Sequence, residues 1–310
     1  MNKMIFITVF LIFCSLFLFI LGLRVLTLTL NKISSDKIKQ LIIKFSNTDY
    51  KALLLGIIVT AICQSSNAIT AITLSFITAK YLDFRRGLVI IIGANIGTTV
   101  TSIFFSFNIQ SFGLVFLVIG IFLLIIVKNK NIGLLQVSLG LLLFGLNHLS
   151  INLECLLTLD KISPLVVKFN SSNIICFSVG TIISFIIQSS SASIGLIQDL
   201  HQVNLINLPC SICFVLGANI GTTLTGIIAG HFGSKTAKKA AYFNFAFNFF
   251  GSLIFLILIF PYTMLISFIQ STLNLSNAFT VSISHILYNI FTVFIFMFGL
   301  FVFDKMKKIR

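Results

Sequence analysis

The sequence predicts an all-α integral membrane protein made of two inverted repeats, each with a re-entrant helical hairpin followed by a glycine-bearing helix. Three observations carry that prediction: the apolar composition, two motifs duplicated at one offset, and the placement of Lys and Arg between apolar stretches. The chain of 310 residues is 57% hydrophobic and 9% charged, with 35 phenylalanines and a mean hydropathy of +1.10. Water cannot be kept from that much apolar surface, because the elements of a soluble domain of this size leave part of themselves exposed. The bilayer is the expected solvent. Stretches 5–30, 87–107, 112–127, 132–149, 208–230, 241–260 and 279–303 approach the roughly 20 apolar residues that cross it, with 112–127 and 132–149 at the short end. The first is too long for a signal-peptide core and lacks a small-residue cleavage site, so it reads as a retained span.

The repeat is visible in two motifs. QSSNA at 64–68 returns as QSSSA at 188–192, and GANIGTT at 93–99 returns unchanged at 217–223. Both pairs are separated by 124 residues, and aligning 56–103 with 180–227 at that offset gives 16 identities in 48 positions. Two motifs in one order at one spacing indicate a duplicated unit.

Loop charge orients each element, because Lys and Arg concentrate on the cytoplasmic side. Residues 1–51 hold the first span and a basic surface helix, with Lys32, Lys37, Lys39, Lys44 and Lys51 beside Ile38, Leu41, Ile42 and Phe45 at helical spacing. Residues 52–131 form repeat 1. Its segment 52–79 is flanked by basic residues on both sides (Lys80, Arg85 and Arg86 follow), so it enters and leaves on one side, with QSSN at the tip. Residues 87–107 then go out, 112–127 return to Lys128 and Lys130, and 132–149 go out again. Residues 132–171 are the connecting span and an external loop in which Glu154, Asp160, Lys161 and Lys168 balance. Residues 172–303 form repeat 2, whose hairpin 172–200 carries QSSS and enters from outside. The span 208–230 returns to Lys235, Lys238 and Lys239; 241–260 go out, the charge-free 261–278 loop lies outside, and 279–303 return to a basic cytoplasmic tail, 304–310. Three spans between the hairpins invert one copy against the other, the arrangement of secondary transporters with a site near the midplane.

A helix broken inside hydrocarbon leaves N–H and C=O groups without partners, which is tolerated only in protein, water or contact with a ligand. The second arm of each hairpin offers a helix N-terminus to an oxyanion, and Ser and Gln side chains add donors and hard oxygens. In GANIGTT the glycines permit close backbone approach or an unwound turn, while Asn and Thr supply oxygens; a small-residue packing face is the plainer reading of one copy, but duplication beside each QSS tip favours a part in the site. The formal net charge of +14 is accounted for by the loops, so no nucleic-acid partner is expected. The six cysteines show no metal-ligand spacing and read as apolar fillers. Neither G-x-S-x-G nor H-E-x-x-H occurs, which speaks against an intramembrane enzyme. A channel is the remaining alternative of another class. Asp199 is placed near the external surface, and His148, His201 and His231 near span ends.

With these motifs the sequence resembles the type II sodium–phosphate cotransporters and their bacterial relatives, whose hallmark is QSSS in each of two inverted repeats, each followed by a GANIGTT-like segment. The resemblance covers about residues 50–300 and extends to AYFNFAFN at 241–248 and SHILYN at 284–289. It implies a sodium-coupled inorganic phosphate transporter of the cell membrane, with a cytoplasmic C-terminus, no cofactor beyond sodium as coupling ion, and the bilayer as its other partner. By the same resemblance phosphate is held by Gln64, Ser65, Ser66, Asn67, Gln188, Ser189, Ser190 and Ser191. Asn95, Thr98, Thr99, Asn219, Thr222 and Thr223 are the sodium candidates, with Asn248, His285 and Asn289 secondary. Asn67, Asn244 and Tyr288 depart from the family's usual Ser, His and Phe. The chain is similar to the short form, without the helical PhoU-like domain of longer bacterial relatives. Another oxyanion or a carboxylate is the alternative substrate.

Overall fold

The computed structural model describes residues 2–107, 110–128, 130–157, 163–231 and 234–309, and every regular element among them is helical. The first, α1 (Asn2–Phe45), runs straight through the boundary where a separate surface helix was expected, because residues 31–45 contain neither Gly nor Pro to break it. Then follow α2 (Asp49–Cys63), α3 (Ser66–Thr78), α4 (Phe84–Ser106), a 3₁₀ turn (Gln110–Phe112), α5 (Gly113–Ile125), α6 (Lys130–Leu157) and α7 (Ser163–Asn170). The second half holds α8 (Asn173–Ile187), α9 (Ser190–Gln202), α10 (Leu208–His231), α11 (Lys235–Ile257), α12 (Ile259–Leu273) and α13 (Asn277–Ile309).

Six helices are long and apolar enough to cross a membrane: Phe6–Leu30, Phe84–Ser106, Lys130–Leu153, Leu208–Ile228, Lys235–Ile257 and Asn277–Gly299. The chain is an integral membrane protein. The expected span at 112–127 is shorter than predicted, since the 13 residues of α5 reach only about 20 Å, against a hydrocarbon core of about 30 Å. Two loops are helical instead. In the expected external loop, α6 continues to Leu157 and α7 occupies Ser163–Asn170, while Asp160 and Lys161 lie outside the described residues. The charge-free stretch at 261–278 is largely α12, which opens with Pro261 in its first turn and closes on Asn274 in the left-handed region.

The repeat survives residue by residue. Helices α2 and α8 have 15 residues each and α3 and α9 have 13, all displaced by 124. Thr48 and Ser172 cap the first arms through side-chain oxygens, and Lys80 and Asn204 adopt matching positive φ after the second arms. Both arms of each hairpin rest on the following long helix: α2 and α3 on α4, α8 and α9 on α10.

GANIGTT is not unwound in either copy; it lies inside α4 and α10. Its glycines act by close approach. A Cβ on Gly93 would stand 2.4 Å from the Leu53 carbonyl oxygen, and one on Gly217 would stand 2.0 Å from that of Phe177. In the opposite direction, Gly56 and Gly180 admit the carbonyls of Ile90 and Phe214. First arm and long helix thus touch backbone to backbone, the packing-face role of small residues.

The bases of these pairs are tied differently in the two copies. In repeat 1, Asp49 at the start of α2 pairs with Arg85 at the start of α4 at 2.8 Å. In repeat 2, fully buried Cys176 and Cys210 form a disulfide between the starts of α8 and α10. This corrects the reading of all six cysteines as fillers; a 34-residue separation carries no sequence signal of pairing. Closing a loop of that length restricts the unfolded chain by about 3–4 kcal/mol in the chain-entropy account. A Cys176→Ser protein should therefore melt well below its parent in detergent. Reductant should lower the parent's midpoint and leave the variant's unchanged, and equal midpoints without reductant would refute a stabilising bridge.

Candidate functional site

The site starts from two broken helices. Each first arm ends on a glutamine in the left-handed region, Gln64 at φ 56° and Gln188 at φ 57°. That region is uncommon for a residue with a Cβ. Identical strain at both copies marks a place where the fold holds the chain against its preference. Gln64 is held by its own side chain: Nε2 donates to the Ala61 carbonyl at 2.5 Å, and Oε1 accepts from the Thr101 hydroxyl of α4 at 2.5 Å.

The next residue restarts the helix. Ser65 and Ser189 are extended, and their hydroxyl oxygens accept from the N–H groups of Ala68 and Ala192 at 3.2 Å. An N-cap serine used this way keeps its O–H proton for another acceptor. The earlier N–H groups of the same turn, on Ser66 and Asn67 and on Ser190 and Ser191, have no carbonyl partner within their helix. Two partial positive charges therefore point out of α3 and α9.

The two tips meet. Asn67 Nδ2 donates to the Gln188 carbonyl oxygen at 2.9 Å, across 121 residues of sequence. Around this bond lies a cavity of about 250 Å³, lined by Gln64 to Asn67, Ile187 to Ala192 and one face of α1. All eight residues expected to hold the anion share it. The α1 face is Ile20, Leu23, Arg24, Thr27 and Leu28, spaced as one side of a helix. Arg24 is the one charged side chain among the described lining residues, and no acid stands among them.

Sequence reasoning missed Arg24 and Thr101. Arg24 had a legible signal, since it is the single charge in the most apolar span, Phe6–Leu30, and intramembrane charges usually have a task. Thr101 had only its identity with Thr225 in the repeat alignment.

The remaining predicted residues are elsewhere. Thr98, Thr99, Thr222 and Thr223 donate to carbonyls of their own helices, and Asn219 Nδ2 donates to Val215 O. Asn95 Nδ2 donates to Ile91 O and lies 3.4 Å from Asn244 Oδ1. Asn248, His285 and Asn289 are fully buried and do not line the tip cavity. The Asn248 amide donates to Asn244 O, the Asn289 amide donates to His285 O, and His285 Nδ1 lies 3.3 Å from Ser102 Oγ.

A second polar node joins the halves. Gln198 of α9 places its Nε2 2.9 Å from both Ser102 O and Ser106 Oγ on α4, and 3.2 and 2.6 Å from Ala278 O and Ser282 Oγ on α13. Beside it, Asp199 is 2% exposed and accepts from the Ser150 hydroxyl of α6, so it is buried rather than solvated at the surface. His201 is also buried, with Nδ1 2.7 Å from Ile206 O, where an interfacial ring was expected. Among the described residues no three His, Cys, Asp or Glu gather as transition-metal ligands.

These features can be set beside known proteins. The Na+/Pi-cotransporter family model matches residues 18–151 and 155–310. The chain is 29% identical over 288 residues to "Uncharacterized protein YqeW" of Bacillus subtilis (strain 168), covering 92% of each. It is 27% identical over 238 residues to the "Putative inorganic phosphate export protein YjbB" of Escherichia coli (strain K12), covering 76% of this chain and 43% of that one. It is 42% identical over 50 residues to human "Sodium-dependent phosphate transport protein 2B", 16% of this chain and 7% of that protein. No solved structure gives a significant match. With nearly its whole length matched by one family model, and its polar tips and apolar helices in place, the chain belongs to the Na+/Pi-cotransporter family, a family of transporters and not of enzymes.

Proposed function

We propose that the chain moves inorganic phosphate across the cell membrane together with sodium, by alternating access, with phosphate held between the two hairpin tips. The observation that carries this reading is the convergence of both QSS tips, 124 residues apart, on one cavity with two helix N-termini facing it. Uncapped N–H groups, serine hydroxyls and helix dipoles suit a tetrahedral oxyanion. Hydroxyl and amide oxygens of Asn95, Thr98, Thr99, Asn219, Thr222 and Thr223 retain lone pairs for a hard cation such as sodium.

With α5 and the 3₁₀ turn before it taken as one short crossing between α4 and α6, three crossings separate the hairpins, which then face opposite ways, so that one closes the inner route and the other the outer. The orientation with basic clusters and C-terminus in the cytoplasm is supported by the two base ties. It puts the Asp49–Arg85 ion pair on the reducing side and the Cys176–Cys210 disulfide on the oxidising side. Direction of net movement follows from the gradients; the relative in Escherichia coli is named for export.

Uptake of radiolabelled phosphate into proteoliposomes under an inward sodium gradient, with potassium as control, tests the reading. Ser65→Ala and Ser189→Ala should each cut sodium-dependent uptake by about tenfold or more, since each removes a hydrogen bond to a charged acceptor. A folded parent that takes up no phosphate would overturn the assignment. Competition by sulfate, arsenate and succinate would then identify the other oxyanion or carboxylate.

A further inference from the structure

The eight tip residues are all uncharged, and two helix N-termini contribute only fractional positive charge to an anion between them. A multiply charged oxyanion in a low-dielectric cavity calls for a full opposite charge nearby. The cavity contains one: Arg24, which α1 brings against the tips on the face formed by Ile20, Leu23, Thr27 and Leu28. It is the sole charge in the 25-residue stretch Phe6–Leu30, and no carboxylate among the described lining residues competes for it.

We infer that Arg24 is the specificity-determining cation of the tip site, its guanidinium taking two oxygens of the substrate oxyanion while the serine tips take the others. This inference rests on the reading of the tip cavity as the phosphate site. The planar fork of a guanidinium matches two oxygens of a tetrahedral anion, whereas an ammonium offers a single point charge. Arg24 therefore favours the dianion over the monoanion and oxyanions over carboxylates of lower charge. It also gives α1 a part in the site although α1 belongs to neither repeat. A competing role is steric and electrical anchoring, with the long side chain reaching along α1 to lipid headgroups. A lysine would serve that role equally well.

The experiment is equilibrium binding of radiolabelled inorganic phosphate to the purified protein in sodium, on either side of the second ionisation of phosphate. The parent should bind more tightly where the dianion predominates. Arg24→Gln should weaken binding by roughly tenfold or more and flatten that pH dependence, and Arg24→Lys should recover only part of the loss. Parental binding by Arg24→Gln, or full recovery by Arg24→Lys with an unchanged pH profile, makes Arg24 an anchor and overturns the inference while leaving the phosphate site standing. A parent that binds no phosphate removes both.

Discussion

A Gly217→Ala chain should unfold far more readily than its parent, by about 2–3 kcal/mol, although alanine is the better helix former. The added Cβ would meet the Phe177 carbonyl oxygen at 2.0 Å and Thr181 N and Oγ1 at 2.9 Å. That carbonyl belongs to the hydrogen-bond ladder of α8 and cannot swing aside. Helix α8 must therefore back away from α10, opening a core that includes Phe214, Val215 and Ala218. Helix propensity returns only about 1 kcal/mol. Gly226 on the same helix supplies the control, since nothing lies within 4 Å of a Cβ there. Gly226→Ala should be neutral or slightly stabilising. Thermal unfolding in detergent reads both, and equal midpoints for the two variants would refute the backbone contact as the reason for glycine at 217.

Gln198→Glu is expected to damage the protein in a pH-dependent way, while Gln198→Leu damages it uniformly. The Gln198 amide nitrogen lies close to two main-chain carbonyls and two hydroxyls. Ser106 and Ser282 can turn to donate to a carboxylate, but Ser102 O and Ala278 O can only accept. An ionised Glu there would be a buried charge without a cation, at a cost of about 3–5 kcal/mol, unless it holds its proton. Holding it raises the folded-state pKa above the unfolded value of about 4.3. The sign follows: the variant is most stable below that unfolded value and loses stability as pH rises through the window up to the raised folded value. Thermal midpoints relative to the parent across acid to neutral pH check it. A Glu variant that tracks the parent at every pH would mean that the node is wetted and the amide is not needed as a donor.

Much of the site was legible because it is written twice. Gln64 with Gln188, and Ser65 with Ser189, occupy the same backbone conformations, and a duplicated polar tetrad in an apolar run has few other uses. Features that occur once were lost. The stretch that became α12 has no charge to orient it, so it passed as a loop between two spans. Cys176 and Cys210 are joined by tertiary structure alone, with Ala52 and Arg86 at the matching positions of repeat 1. GANIGTT misled in one respect: glycine serves both an unwound turn and a tight helix contact, and only the carbonyls of Leu53 and Phe177 decide for the contact. Asn67, expected among the phosphate ligands in place of the family's usual Ser, also bonds through its amide to the opposite tip.

That bond has a consequence for timing. Any motion that parts the tips must first break the Asn67–Gln188 contact, worth about 1 kcal/mol net. If the parting lies on the slowest step, the exit from the joined state is about fivefold slower than without it. Serine at this position has a shorter reach and would let the tips separate without that delay. On the proposed reading, Asn67 would then act as an escapement, setting how long cargo dwells between the tips while the serines and Arg24 set the strength of its binding.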